Sequence, residues 1–178
     1  IRWVAPDDDI NYTILGMVNL ETHGVHFTQN QLRNLWMLNI APRWAWGPER
    51  MILIKAATAY YSDQHPVDES VLRQWVQVLN PGDGLCGAQI RADAYGYACP
   101  GRPMLAAELA WRDASFTHRL TGVYGTMLVA AAIAIAMVER DRLRVFETAL
   151  QYIPQRSRFA AVVREAIQQV RQASDWQD

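Results

Sequence analysis

TGVYGTMLVAAAIAIAMV, residues 121 to 138, is the stretch whose reading decides the fold. It is almost wholly apolar and holds no Asp, Glu, Lys or Arg. A membrane-spanning helix needs about 20 strongly apolar residues. This run is dominated by alanine, which gains little on transfer to lipid, and it starts with Gly122 and Gly125 in its first five positions. A helix that is apolar all round also suits the centre of a large helical core. The run therefore predicts a buried central helix over 120 to 139, with other helices packed around it and no membrane span.

Working outward, helical signals continue on both sides. The spacing predicts helices over 141 to 152 and 157 to 173 downstream, and over 104 to 114 upstream, behind Pro103. Asn80-Pro81-Gly82-Asp83-Gly84 and Cys99-Pro100-Gly101-Arg102-Pro103 read as loops. Between them, residues 85 to 98 follow neither a 3.6 nor a 2 period. Further upstream, Asp68 is placed to cap a helix running to Leu79, and Pro48 sits in the first turn of one covering 49 to 60. Thr28 is placed to cap Gln29 to Asn39, with Leu32, Leu35, Trp36 and Leu38 facing inward. Asp7, Asp8 and Asp9 precede an apolar-periodic stretch, Ile10, Ile14, Leu15 and Val18, that stops near His23-Gly24. No stretch alternates as a strand does, and no repeat is present. An all-α single domain over residues 1 to 178 follows.

Composition narrows the function. The 178 residues carry 17 basic and 18 acidic side chains, a net charge of −1. That balance gives no electrostatic basis for binding nucleic acid or an anionic membrane. Cys86 and Cys99 are too few for a disulfide framework and lack zinc-site spacing, so a reduced, cytoplasmic protein is expected. Asn11-Tyr12-Thr13 matches a glycosylation sequon with nothing else to suggest secretion. The chain opens on Ile1-Arg2-Trp3-Val4 without a signal-peptide pattern, and missing upstream residues are expected.

Three groups of residues can carry chemistry. Asp7-Asp8-Asp9 puts three carboxylates side by side, each pair repelling by about 1 kcal/mol at 4 Å in water. Such a run is an acidic helix start, or an oxygen-only site for a hard cation such as Mg²⁺ or Mn²⁺. Gly87-Ala88-Gln89-Ile90-Arg91-Ala92-Asp93, followed by Ala94-Tyr95-Gly96-Tyr97, places Gln89, Arg91 and Asp93 at alternate positions between small or apolar residues. It can line a polar pocket, or Arg91 can staple two helices through Asp93 or another carboxylate. Asp113-Ala114-Ser115-Phe116-Thr117-His118 leads into Gly122, Tyr124 and Gly125. His118 there is a structural histidine, or part of an anion site at a helix start with free backbone N–H groups. His23, His26 and His65 lie in turn-like surroundings and receive no role. Trp44-Ala45-Trp46-Gly47 is packing or a pocket wall.

Taken in order, these features resemble the ADP-ribosylglycohydrolase family, which includes the J1 crystallins. The resemblance runs from residue 7 to 176 and is strongest over 87 to 135, GAQIRADAYGY and PGRPMLAAELAWRDASFTHRLTGVYGTMLVAAAIA. It implies an all-α multi-helix orthogonal bundle with a two-metal site for Mg²⁺ or Mn²⁺. The implied activity is hydrolysis of the glycosidic bond joining ADP-ribose to a protein side chain or a small acceptor. An alternative is a non-catalytic ADP-ribose-binding or crystallin-like member. The resemblance makes Asp7, Asp8 and Asp9 metal ligands, with Asp8 and Asp9 catalytic, although Ile10 stands where the family motif has Thr. It puts Gln89, Arg91, Asp93, His118, Gly122, Tyr124 and Gly125 beside the substrate. The family's second metal motif, Asp-x-Asp-Ser/Thr, has no counterpart here; Asp175 stands alone. A partial copy, prone to self-association, is the expectation that follows.

Overall fold

The computed structural model describes residues 7–59 and 66–174. Among the described residues there are nine α-helices, four short 3₁₀ turns and no strand. The expected all-α fold is the one the chain adopts.

Local chemistry sets most helix ends. Asp7 caps α1 (Asp8–His23) by accepting from the Ile10 N–H at 3.3 Å. The helix stops at Gly24, whose φ of +66° costs a glycine little. Thr28 and Gln31 form a reciprocal capping box at the start of α2 (Gln29–Asn39). Pro48 lies in the first turn of α3 (Gly47–Thr58), and Asp68 caps α4 (Glu69–Gln77). The aperiodic stretch 85 to 98 is a 3₁₀ helix, Cys86–Arg91, running into the short α5 (Ala92–Tyr97). Both pieces are too short to develop a repeat. Then follow α6 (Pro103–Ala114), α7 (Thr121–Ala136), α8 (Arg142–Ala149) and α9 (Arg158–Gln172).

Helix α7 is the hub. It packs against α5, α6, α8, α9 and the 86–91 turn. Its alanines keep those contacts close: Ala130, Ala131 and Ala134 have no exposed surface. At Gly96 of α5 an added Cβ would stand 2.6 Å from the Ile133 Cβ, so that crossing needs glycine. Gly16 makes the same allowance between α1 and α5, where a Cβ would lie 2.8 Å from Ala94. Among the described residues no helix is long and apolar enough to cross a membrane.

The main core gathers Tyr12, Phe27, Trp36, Tyr95, Leu109 and Phe116; a second cluster joins α7 to α8 and α9. Leu32, Leu53 and Leu109 are fully buried, each stabilising by about 1.5–3 kcal/mol.

Several sequence expectations need correction. Leu38 is 84% exposed, because the inner stripe of α2 is Leu32, Leu35 and Trp36 and Leu38 falls on the opposite side. Ile10 and Ile14 are also exposed: α1 buries Tyr12, Leu15, Gly16 and Asn19, a stripe at i, i+3, i+4 and i+7 built partly on polar residues. The α4 helix stops at Gln77, with Leu79 at a φ of +49° beyond it. The expected 141 to 152 helix is α8 plus a 3₁₀ turn, Leu150–Tyr152. The helix expected to run to residue 60 ends at Thr58; residue 60, His65 and Asp175 lie outside the described residues.

Candidate functional site

The three carboxylates of Asp7, Asp8 and Asp9 open α1, and each offers an oxygen within 4.8 Å of the others. Asp7 and Asp9 are exposed and Asp8 is half-buried. Among the described residues no basic side chain pairs with any of them. The helix start favours each carboxylate by about 0.3–1 kcal/mol, close to the mutual repulsion of about 1 kcal/mol per pair. The cluster is therefore tolerated without a cation and would gain from one. Its oxygen-only donor set fits a hard divalent ion. One turn on, the Thr13 hydroxyl donates to the Ile90 carbonyl at 2.9 Å, tying α1 to the 86–91 turn. The buried Tyr12 hydroxyl accepts from the Trp46 N–H at 3.3 Å. Burial, then the Glu49 charge, holds its ionisation well above the ordinary phenol range.

A second group of charges is dry. Arg91 is wholly buried and spends its guanidinium on protein partners. Nε donates to Asp113 Oδ1, Nη1 to Glu49 Oε1 at 2.7 Å, and Nη2 to Thr117 Oγ1 at 2.9 Å and the Asp113 carbonyl at 3.2 Å. The Tyr95 hydroxyl donates to Asp113 Oδ2 at 2.7 Å, and the Trp36 ring lies 5.0 Å below the guanidinium. Burial pushes the Glu49 carboxyl above its usual range, with the Arg91 charge working against that. Burial alone would lower the Arg91 guanidinium, but the Asp113 and Glu49 carboxylates outweigh it. His118, 1% exposed, is pushed down to about 3 by burial and then by Arg91, so its ring is neutral at physiological pH.

The sequence-predicted residues divide between these places. Arg91 takes Asp113 and Glu49 as partners, not Asp93, which sits half-buried in the first turn of α5. Gln89 packs on Gly125, where an added Cβ would meet its Nε2 at 2.1 Å. At Gly122 a Cβ would lie 2.7 Å from the Leu85 carbonyl and 2.9 Å from His118 Cδ2, so the 83–87 loop closes over the start of α7. His118 was expected at an open helix start; that loop covers it. Tyr124 is half-buried and joins His118, Arg119, Trp75 and Phe116 in the wall of a cavity of about 500 Å³ between α2, α4, α6 and α7. The acidic cluster takes no part in that wall. The cavity meets the chain at Phe27 and Thr28, beyond the far end of α1, a helix about 24 Å long at 1.5 Å per residue.

Glu49 escaped sequence reading. Its signal was Trp46-Gly47-Pro48-Glu49, where a Gly-Pro start sets an acid in the first helical turn, and only Pro48 was read for structure. Trp44 and Trp46 are exposed, each with an arginine, Arg43 or Arg50, against its ring.

Residues 5–177 match the family model described as ADP-ribosylglycohydrolase. No curated protein matches the chain, and no solved structure does.

Proposed function

The chain belongs to the ADP-ribosylglycohydrolase family, and from that premise we propose that it hydrolyses the glycosidic bond between ADP-ribose and a protein side chain or small acceptor, with Mg²⁺ or Mn²⁺. The observation that carries this reading is the convergence of three carboxylate oxygens within 4.8 Å at the start of α1, with no basic partner among the described residues. Asp8 and Asp9 would hold the metal. Asp7 assists with the oxygen that its capping bond leaves over. A bound divalent ion supplies a template and a water of lowered pKa.

The chain's own residues position the substrate. Gln89, Asp93, Gly122, Tyr124 and Gly125 lie on the elements that α7 organises, and His118 offers a neutral ring beside them. Arg91 acts through Glu49 and Asp113, because it is wholly buried and four of its five N–H donors already have protein partners. Release of ADP-ribose from ADP-ribosyl-arginine or ADP-ribosyl-serine, dependent on Mg²⁺ or Mn²⁺, is the expected result. Absence of turnover by the folded, metal-loaded protein contradicts it. ADP-ribose binding without turnover would instead support the non-catalytic alternative, which Ile10 in place of the family's Thr favours.

A further inference from the structure

The cavity between α2, α4, α6 and α7 stands apart from both groups of carboxylates: Asp7, Asp8, Asp9, Glu49 and Asp113 take no part in its wall. Its volume of about 500 Å³ falls within the range of roughly 300–1,000 Å³ that small-molecule sites occupy. Much of the lining is apolar and buried, with Leu72 and Val76 from α4, Val123 from α7, and Phe116. Two tryptophans add aromatic surface, Trp75 from α4 and the half-exposed Trp111 from α6. Gly122 and Gly125 of α7 turn toward the 83–91 segment, whereas Leu120 and Val123 line the cavity, so the start of α7 shows the two regions different sides.

The same wall carries Arg73, Arg112 and Arg119 against one acid, Glu69. Arg112 is committed, donating to the Val25 and Phe27 carbonyls and to Glu108. Arg119 has donors to spare. Its Nε lies 3.0 Å from Asp83 Oδ2, its two Nη groups have no partner among the described residues, and 40% of the side chain is exposed. Arg73 makes one exposed contact, with Glu69 at 3.4 Å, and exposed pairs of that kind hold weakly. Leu120 adds a second mark at the same wall. Its φ of +46° and ψ of −119°, in a turn closed by the Gly122 N–H on the Arg119 carbonyl at 3.1 Å, belong to a position that glycine ordinarily fills. Strained backbone of this kind gathers at ligand sites, and the Leu120 side chain is exposed there.

We propose that this cavity is a second ligand site, separate from the one that handles ADP-ribose, and that it takes a small amphipathic anion: an apolar or aromatic body against Trp75 and Trp111, with a carboxylate, sulfonate or phosphate head on Arg119 and Arg73. A guanidinium meets such a head through paired N–H donors. A cationic ligand would meet like charge, and a wholly apolar one would gain nothing from the arginines. The apolar lining supplies affinity and the arginines choose the sign of charge. This goes beyond the proposed function and does not depend on it.

The test is fluorescence titration with two probes that differ by one sulfonate group, 8-anilino-1-naphthalenesulfonate and its neutral analogue N-phenyl-1-naphthylamine. The wild type should bind the sulfonate at one site. Arg73→Gln/Arg119→Gln should weaken the sulfonate about tenfold, the equivalent of one charge-assisted hydrogen bond, and leave the neutral analogue within about twofold. Arg73→Lys/Arg119→Lys, which keeps the charge, should restore part of the loss. Trp111→Ala should weaken both probes. Both arginines and Trp111 are exposed enough for these variants to fold, and coincident urea midpoints check that they do. Equal weakening of the two probes by the arginine substitutions, no weakening of either, or indifference of both to Trp111→Ala overturns the proposal. So does displacement of the sulfonate by ADP-ribose, which would make the cavity part of the substrate's own site. If ADP-ribose does not bind at all, the family-based function fails, and the variants still decide what the cavity takes.

Discussion

The start of α1 and the Glu49–Arg91–Asp113 cluster each collect carboxylates, and they deal with the charge in opposite ways. At α1 three acids stand in or near water, steadied by a helix end and by solvent. In the core two acids are stripped of water and held by one buried guanidinium. The first arrangement leaves oxygen atoms available to an incoming cation. The second keeps its carboxylates buried, out of an incoming cation's reach. Carboxylate content alone therefore does not mark a reactive site; the presence or absence of a built-in counter-charge does. The same difference separates cost from function: the core cluster should matter to folding and the helix start should not.

The largest effect expected is on the dry side. Arg91→Leu leaves Glu49 and Asp113 buried without their cation, and should cost about 3–5 kcal/mol in chemical denaturation. A loss under about 1 kcal/mol would mean that the two regions differ less than their burial implies.

Next comes acid. The folded-state pKa of His118, about 3, lies below the ordinary 6.5, so within that window the unfolded chain binds the extra proton. The stability given by the neutral ring is complete above pH 6.5 and drains away as pH falls through the window, by about 1.4 kcal/mol per unit. Glu49, shifted upward, works in the opposite direction. Comparing wild type with His118→Gln isolates the histidine. The gap between their urea midpoints should shrink from pH 7 to pH 5, and a constant gap would contradict the burial argument.

On the wet side the effects are small. Asp7→Ala removes a cap and should cost about 0.5–1 kcal/mol, partly offset by relieved repulsion. Asp8→Asn and Asp9→Asn should each stay within about 0.5 kcal/mol of wild type in metal-free buffer. A large loss from either would move the helix start into the class of the core cluster.

Much of the fold was legible before the structure. The alanine-rich run at 121 to 138 announced the central helix α7 because a helix with no polar face must be surrounded. Asp7, Thr28, Pro48 and Asp68 marked helix starts because capping is local chemistry. The inward faces of α1 and α2 were misread where packing overruled hydrophobicity: Asn19 and Arg33 are buried while Ile14 and Leu38 are exposed. The acidic run was visible as a motif for the same local reason that made it a cap. The buried network was not, since Glu49, Arg91 and Asp113 are far apart in the chain and only the packing of α3, the 86–91 turn and α6 brings them together. Arg91 had two readings in the sequence, and its partners distinguish them.

The most direct measurement of the central claim is calorimetric titration of Mn²⁺ into the metal-stripped protein, wild type against an Asp8→Asn/Asp9→Asn double variant. The account predicts binding by the wild type, loss of that binding in the variant, and unfolding midpoints for the metal-free proteins that coincide. Mn²⁺ binding that survives the double substitution, or a wild type that takes up no metal, would contradict the assignment of Asp7, Asp8 and Asp9 as the metal-holding side of the site.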